Sequence, residues 1–267
     1  MDTQSDSNAD CPADQRDITI RDDKTDFHSL LALVKACRAS GGRLRLIDSG
    51  MFQISDLEWL GEAGIDIATS NQARRELAEF ILMGNAARKG KASASYFHHG
   101  PFELKEAPKS VPLSALAEMG RSGIHLYASN AKEERDSSAL EMLVRACRDG
   151  KARFVYYHHG GLEASLENYC RQGAWIHCLG SSLLSRDDLL LLGDSLAAAR
   201  AAGSGVILHL ERPSDADALD DLFKAGAYLV FQTPPSDYRS LQRALELQAK
   251  RRTLPALTFY LFPALML

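Results

Sequence analysis

Leu33-Val34-Lys35-Ala36-Cys37-Arg38 recurs 110 residues downstream as Leu143-Val144-Arg145-Ala146-Cys147-Arg148, and this self-match organises the whole chain. At the same offset Ile47-Asp48-Ser49-Gly50 falls on Tyr157-His158-His159-Gly160, and Ala63-Gly64-Ile65-Asp66 falls on Gly173-Ala174-Trp175-Ile176. The direct reading is a duplicated half, with halves at about 27–135 and 137–250, each divided again into two similar quarters.

Each quarter reads as a long helix, a strand, a short helix and a second strand. Apolar residues at 3.6-residue spacing mark the helices, and short apolar or β-branched runs mark the strands. The long helices stop near Gly41, Gly90, Gly150 and Gly203, where glycine caps are expected. The first strands are Arg43–Asp48, Ala92–His98, Arg153–His158 and Val206–Glu211. The second strands, Ile65–Thr69, Ile124–Ala128, Trp175–Leu179 and Tyr228–Gln232, follow Gly64, Gly123, Gly173 and Gly226. Eight strands alternating with helices imply βαβ crossovers and a parallel sheet. Their repetition about an axis favours a closed (β/α)8 TIM-type barrel over residues 17–253. An open sheet of the flavodoxin type, or two smaller α/β units, is the alternative. Asp17-Ile18-Thr19-Ile20 is a further strand candidate that either caps the barrel bottom or shifts the strand count by one.

The composition agrees with a soluble globular protein: 267 residues, 45% apolar and 25% charged, a length that one barrel fills. Lys+Arg 31 against Asp+Glu 35, with no long single-sign run, argues against a nucleic-acid surface and for a small-molecule substrate. Cys11, Cys37, Cys147, Cys170 and Cys178 form neither a CxxC pair nor a zinc-ribbon spacing, so free thiols in a reducing cytoplasm are expected. Residues 1–16 are polar and acidic, unlike a secretion signal, and read as a disordered tail. The apolar stretch 254–267 is broken by Pro255 and Pro263 and falls short of the ~20 residues a membrane span needs. It is expected to pack on the domain, or to hold a protein partner or a second copy of the chain.

In a barrel the chemistry sits at the C-terminal ends of the strands. Aligning the first strands there gives Asp48, His98, His158 and Glu211 in one position, followed by Ser49, His99, His159 and Arg212. Two imidazoles and two carboxylates suit a divalent metal, Zn, Mn or Fe, with an open position for a water nucleophile. Strand parity decides whether these four share a face. On Val206–Glu211 the pattern places Ile207, His209 and Glu211 inside, whereas on the first strand the same parity places Leu44 and Leu46 inside and Arg45 outside. With the parity reversed, His99 and His159 replace His98 and His158, and the carboxylates leave the ring.

Asp66, His125 and His177 read as a lower hydrogen-bonded layer of structural character. The ends of the second strands, Thr69-Ser70-Asn71, Ala128-Ser129-Asn130, Gly180-Ser181-Ser182 and Gln232-Thr233-Pro234, read as helix caps or as polar-substrate groups. There is no GxGxxG after a strand, no GxxxxGK[ST] and no GxSxG. Lys91 and Lys151 lie at strand starts, away from the catalytic end, which removes the obvious Schiff-base lysines. Glu103, Glu163 and Glu211 supply carboxylates for a glycosidase, but no spacing fixes a pair.

The expectation is therefore a metal-dependent hydrolase, of phosphoesters in first place. Asp48, His98, His158 and Glu211 would hold the metal, His99 and His159 would serve as acid/base or oxyanion partners, and Arg212 would face a substrate anion. The alternative is a non-catalytic barrel serving as scaffold or subunit, docking through Phe259-Tyr260-Leu261-Phe262 and the residues to Leu267.

Overall fold

The computed structural model describes residues 18–102, 111–131, 135–179, 186–210 and 216–231. The expected tail at 1–16 and the apolar segment at 254–267 lie outside these residues, as do Glu211 and Arg212. Strand and helix alternate along the chain. The elements are β1 (Ile18–Arg21), α1 (Phe27–Ala39), β2 (Leu44–Ile47), α2 (Ile54–Ala63), β3 (Asp66–Ser70), α3 (Leu77–Lys89), β4 (Ala94–Phe97), α4 (Leu113–Arg121) and β5 (His125–Ser129). They continue with α5 (Ser137–Asp149), β6 (Phe154–His159), α6 (Ser165–Gln172), β7 (Trp175–Leu179), α7 (Arg186–Ala202), β8 (Val206–Leu210), α8 (Ala216–Ala225) and β9 (Tyr228–Phe231).

The nine strands form one parallel sheet in sequential order from β1 to β9. Ile18–Arg21 is thus the first strand, laddered to β2, and the count is nine rather than eight. An open flavodoxin-type sheet would reverse its strand order at a switch point; here each crossover leads to the next neighbour. Right-handed crossovers of that kind place all the helices on one face. Among the described residues the other face has no helical cover, yet Ile47, Phe97, Tyr127, Val155, Tyr157 and Ile207 are buried in a common cluster there. A sheet can bury that face only by curling on itself. This is the α/β arrangement of a (β/α) barrel. Among the described residues no ladder joins β9 to β1.

Local chemistry repeats with the sequence. Asp26 caps α1 by accepting from the Ser29 amide at 2.9 Å, and Asp136, 110 residues on, caps α5 by accepting from the Ser138 amide at 3.0 Å. Gln53 and Asp56 close a capping box on α2. At the other end, α3 and α5 end at Gly90 and Gly150. A Cβ on either would lie 2.0 Å from the carbonyl oxygen of Gly61 or Gly120, so only glycine lets these helix ends approach α2 and α4. Arginines on the last turns then tie neighbours together. Arg38 donates to the Gly90 carbonyl at 2.7 Å, Arg88 to that of Ser122, and Arg200 to that of Ala225 at 2.8 Å. These carbonyls lie at helix ends, where they lack intrahelical partners.

Candidate functional site

Alternation along the strands separates two sets of side chains. Leu44, Leu46, Ala94, Tyr96, Leu126, Ala128, Phe154, Tyr156, Val206 and Leu208 belong to the cluster under the helices. Ile47, Phe97, Tyr127, Val155, Tyr157 and Ile207 belong to the inner cluster. Continuing that alternation, Asp48, His98 and His158 fall on the helix side, and His99 and His159 fall on the inner side. On β8 Val206 and Leu208 join the helix-side cluster and Ile207 the inner one, so His209 is inner. Glu211 lies outside the described residues, so only Asp48, His98 and His158 of the four-residue ring have a described place.

Each described member of that ring is committed to a local role. The Asp48 carboxylate accepts from Thr69 Oγ1 and Arg74 Nε, both at 2.7 Å, and from Gly50 N at 3.0 Å and Arg74 Nη2 at 3.1 Å. His98 Nε2 lies 2.9 Å from the Pro101 carbonyl and His158 Nε2 lies 2.7 Å from that of Gly161. A carbonyl can only accept, so each ring donates from Nε2 and closes the turn after its strand. Among the described residues no group of three histidine, cysteine, aspartate or glutamate side chains is placed to hold a metal ion.

The inner face carries a different group. A row of rings runs across it: Phe97 stacks on Tyr127 at 4.3 Å between centroids and Tyr127 on Tyr157 at 6.4 Å, while Tyr157 to His177 at 4.3 Å and His177 to His209 at 5.1 Å are tilted by about 35°. Register explains the row: Tyr157 faces His177, which in turn faces Ile207. One step nearer the C-terminal end, His159 faces Leu179. His177 is thus level with the fourth residue of β6 rather than with the barrel bottom, because the sheet is staggered. Its Nδ1 lies 2.8 Å from His209 Nε2, a buried hydrogen bond between imidazoles.

Burial, and then the nearby His159, push the His209 pKa down to about 4. Burial, and then His158, also lower that of His159. Burial raises the Tyr157 hydroxyl well above its ordinary value. All these groups are therefore neutral near pH 7.

Asn71 and Asn130 support the rim from the preceding strands. Asn71 accepts from His99 N at 2.9 Å and donates to His99 O at 2.6 Å. Asn130 accepts from His159 N at 2.6 Å and donates to His159 O at 3.1 Å. They act as an extra rung of sheet, a role distinct from helix capping or substrate contact. Below the rings, Asp66 accepts from Arg43 at 2.5 Å and from Ser93 N at 2.8 Å, while His125 Nδ1 accepts from Arg153 N at 2.8 Å.

The inner histidines are the residues that the metal-ring reading missed. His177 was legible only as part of a lower structural layer and His209 only as an inward position. The one signal that pairs them is the shared inner parity of β7 and β8.

No known protein family and no curated protein matches the sequence. Solved structures resemble the fold. The HpcH/HpaI aldolase from Desulfitobacterium hafniense DCB-2 is 12% identical, with 83% of this chain and 99% of that chain covered and a TM-score of 0.36. The 3-dehydroquinate dehydratase from Aquifex aeolicus VF5 is 12% identical, with 89% and 99% covered and a TM-score of 0.38. The deoxyribose phosphate aldolase from Aeropyrum pernix, described as tetrameric, is 12% identical, with 89% and 91% covered and a TM-score of 0.33. The hydrolase expectation does not hold: its water-activating centre required Asp48, His98 and His158 on one face with Glu211, whereas Asp48 is saturated by Arg74 and Thr69 and both histidines close turns. No described helix is long and apolar enough to cross a membrane.

Proposed function

We propose that the protein is an enzyme of lyase or isomerase type that moves protons on a small polar substrate at the C-terminal end of the inner face. His159, His177 and His209 would be the acid/base group, and Tyr157 would pack His177. The observation that carries this reading is the 2.8 Å hydrogen bond between His177 Nδ1 and His209 Nε2.

With both rings neutral, one N–H···N bond puts one protonated and one bare nitrogen at the shared contact, so both rings are Nδ1–H when His177 donates and both are Nε2–H when His209 donates. The donor ring keeps a lone pair on its other nitrogen, and the acceptor ring keeps an N–H on its own. The pair therefore presents one base and one acid in either arrangement; when the base nitrogen takes a proton from substrate, the bridging proton shifts across and the acid nitrogen gives one up, both rings end neutral and the two roles are exchanged. A neutral imidazole is also a suitable donor to a carbonyl that gains charge in an enolisation, because its N–H donates without the ring first being protonated to imidazolium. Half-buried His159 lies beside His209 at the rim, where substrate would arrive.

The test is solvent hydrogen exchange. A panel of small 2-oxo and 2-hydroxy acids, incubated with protein in D2O, is read by NMR for deuterium at carbon. Exchange with the native protein, lost in both H177Q and H209Q while the fold survives, is expected. No exchange across the panel, or exchange indifferent to both substitutions, removes the proposal.

A further inference from the structure

A cleft lies at the opposite end of the barrel, away from the histidine group. It has a volume of 470 Å³ and is lined by the last turn of α3, the end of α4, the start of β4, His125 of β5 and the turn after α5. Its lining holds three cations, Arg88, Arg121 and Lys151, against the one carboxylate of Asp149. His125 adds a neutral donor. Its Nδ1 accepts from Arg153 N at 2.8 Å, which leaves the ring proton on Nε2.

Just past each long helix one residue adopts the left-handed conformation, at φ 75° in Gly41, 57° in Lys91, 56° in Lys151 and 73° in Gly203. Two quarters place glycine there, the residue that suits this conformation, and two place lysine. Lys151 lines the cleft and Lys91 does not, so the two lysines share a backbone geometry and differ in their place relative to the cleft.

We propose that this cleft binds a small, multiply charged oxyanion of the phosphate type, held by Arg88, Arg121 and Lys151. Arg88 keeps its Nη2 on the Ser122 carbonyl, which holds its guanidinium at the cleft, while Arg121 pairs with Glu118 at 3.3 Å in an exposed contact that a bound anion would replace. Planar guanidiniums and a flexible ammonium together are the usual donors to such oxyanions.

Isothermal titration of the full-length protein with pyrophosphate at low ionic strength tests the site. Saturable binding near one equivalent is expected in the native protein. K151G should weaken it about tenfold, the loss of one charge-assisted hydrogen bond, and K91G should leave it unchanged. Because glycine relaxes both positions, both variants should melt at or above the native temperature, which separates lost binding from lost fold. Absence of saturable binding overturns the proposal. So does a K151G protein that binds as the native one does, or a K91G protein that loses as much.

Discussion

Asn130 grips the backbone of His159 from both sides, accepting from its amide at 2.6 Å and donating to its carbonyl at 3.1 Å. Asn71 does the same for His99. N130A leaves both backbone groups without these partners and should cost about 1–3 kcal/mol, read as a lower urea midpoint at unchanged slope. N130D keeps the accepting arm but sets a carboxylate oxygen against the His159 carbonyl, two acceptors, and should cost at least as much as N130A.

The Asp48–Arg74 pair is buried, with 0% and 8% of the two side chains exposed. Removing either partner strands the other charge, so D48A and R74A should each destabilise by about 3–5 kcal/mol. Thr69 shares the same carboxylate through its hydroxyl at 2.7 Å. T69V, which deletes one neutral donor, should cost nearer 1 kcal/mol. Denaturant unfolding of the three variants checks the order.

Stability should fall on acidification from neutral pH. Burial, its largest cause, depresses the pKa of His125 and of His209 to about 4, below the 6.5 of an exposed imidazole. The unfolded chain therefore binds protons that the folded one refuses. The resulting contribution is complete above pH 6.5 and is lost as pH falls toward 4, on the order of 3 kcal/mol for each histidine. H209Q should be less sensitive over that window than the native protein, as measured by urea midpoints at pH 7 and pH 5.

Tyr127 sits between Phe97 and Tyr157 in the stacked row. Y127A opens a cavity at the centre of the inner cluster and should cost about 3–5 kcal/mol. Y127F keeps the ring and should cost about 1 kcal/mol. A scaffold that tolerated Y127A would not depend on that row for its core.

The alternation of strand and helix was legible because each strand is a short apolar run between glycine-marked turns, and Ile18–Arg21 was legible as a strand candidate. Which face each residue takes was not. Every described residue of β2, β3 and β4 is buried, so polar and apolar residues do not alternate as they do on a half-exposed sheet. Arg45 shows the difficulty: an arginine that reads as outward-facing is 1% exposed on the inner side. His177 and His209 are 32 residues apart, and only the stagger of β7 against β8 brings their rings together. The repeat pointed to Asn71 and Asn130, but their reach back to the next strand's backbone belongs to tertiary structure.

The unbroken order of the sheet bears on how the molecule forms. Each strand needs only the one made just before it, and each arginine on a helix end reaches a turn of the following helix pair. Such a chain can add units in sequence as it leaves the ribosome, with short loops to close at every step. Assembly then resembles growth along a track, with its first stable contacts set by the amino-terminal half.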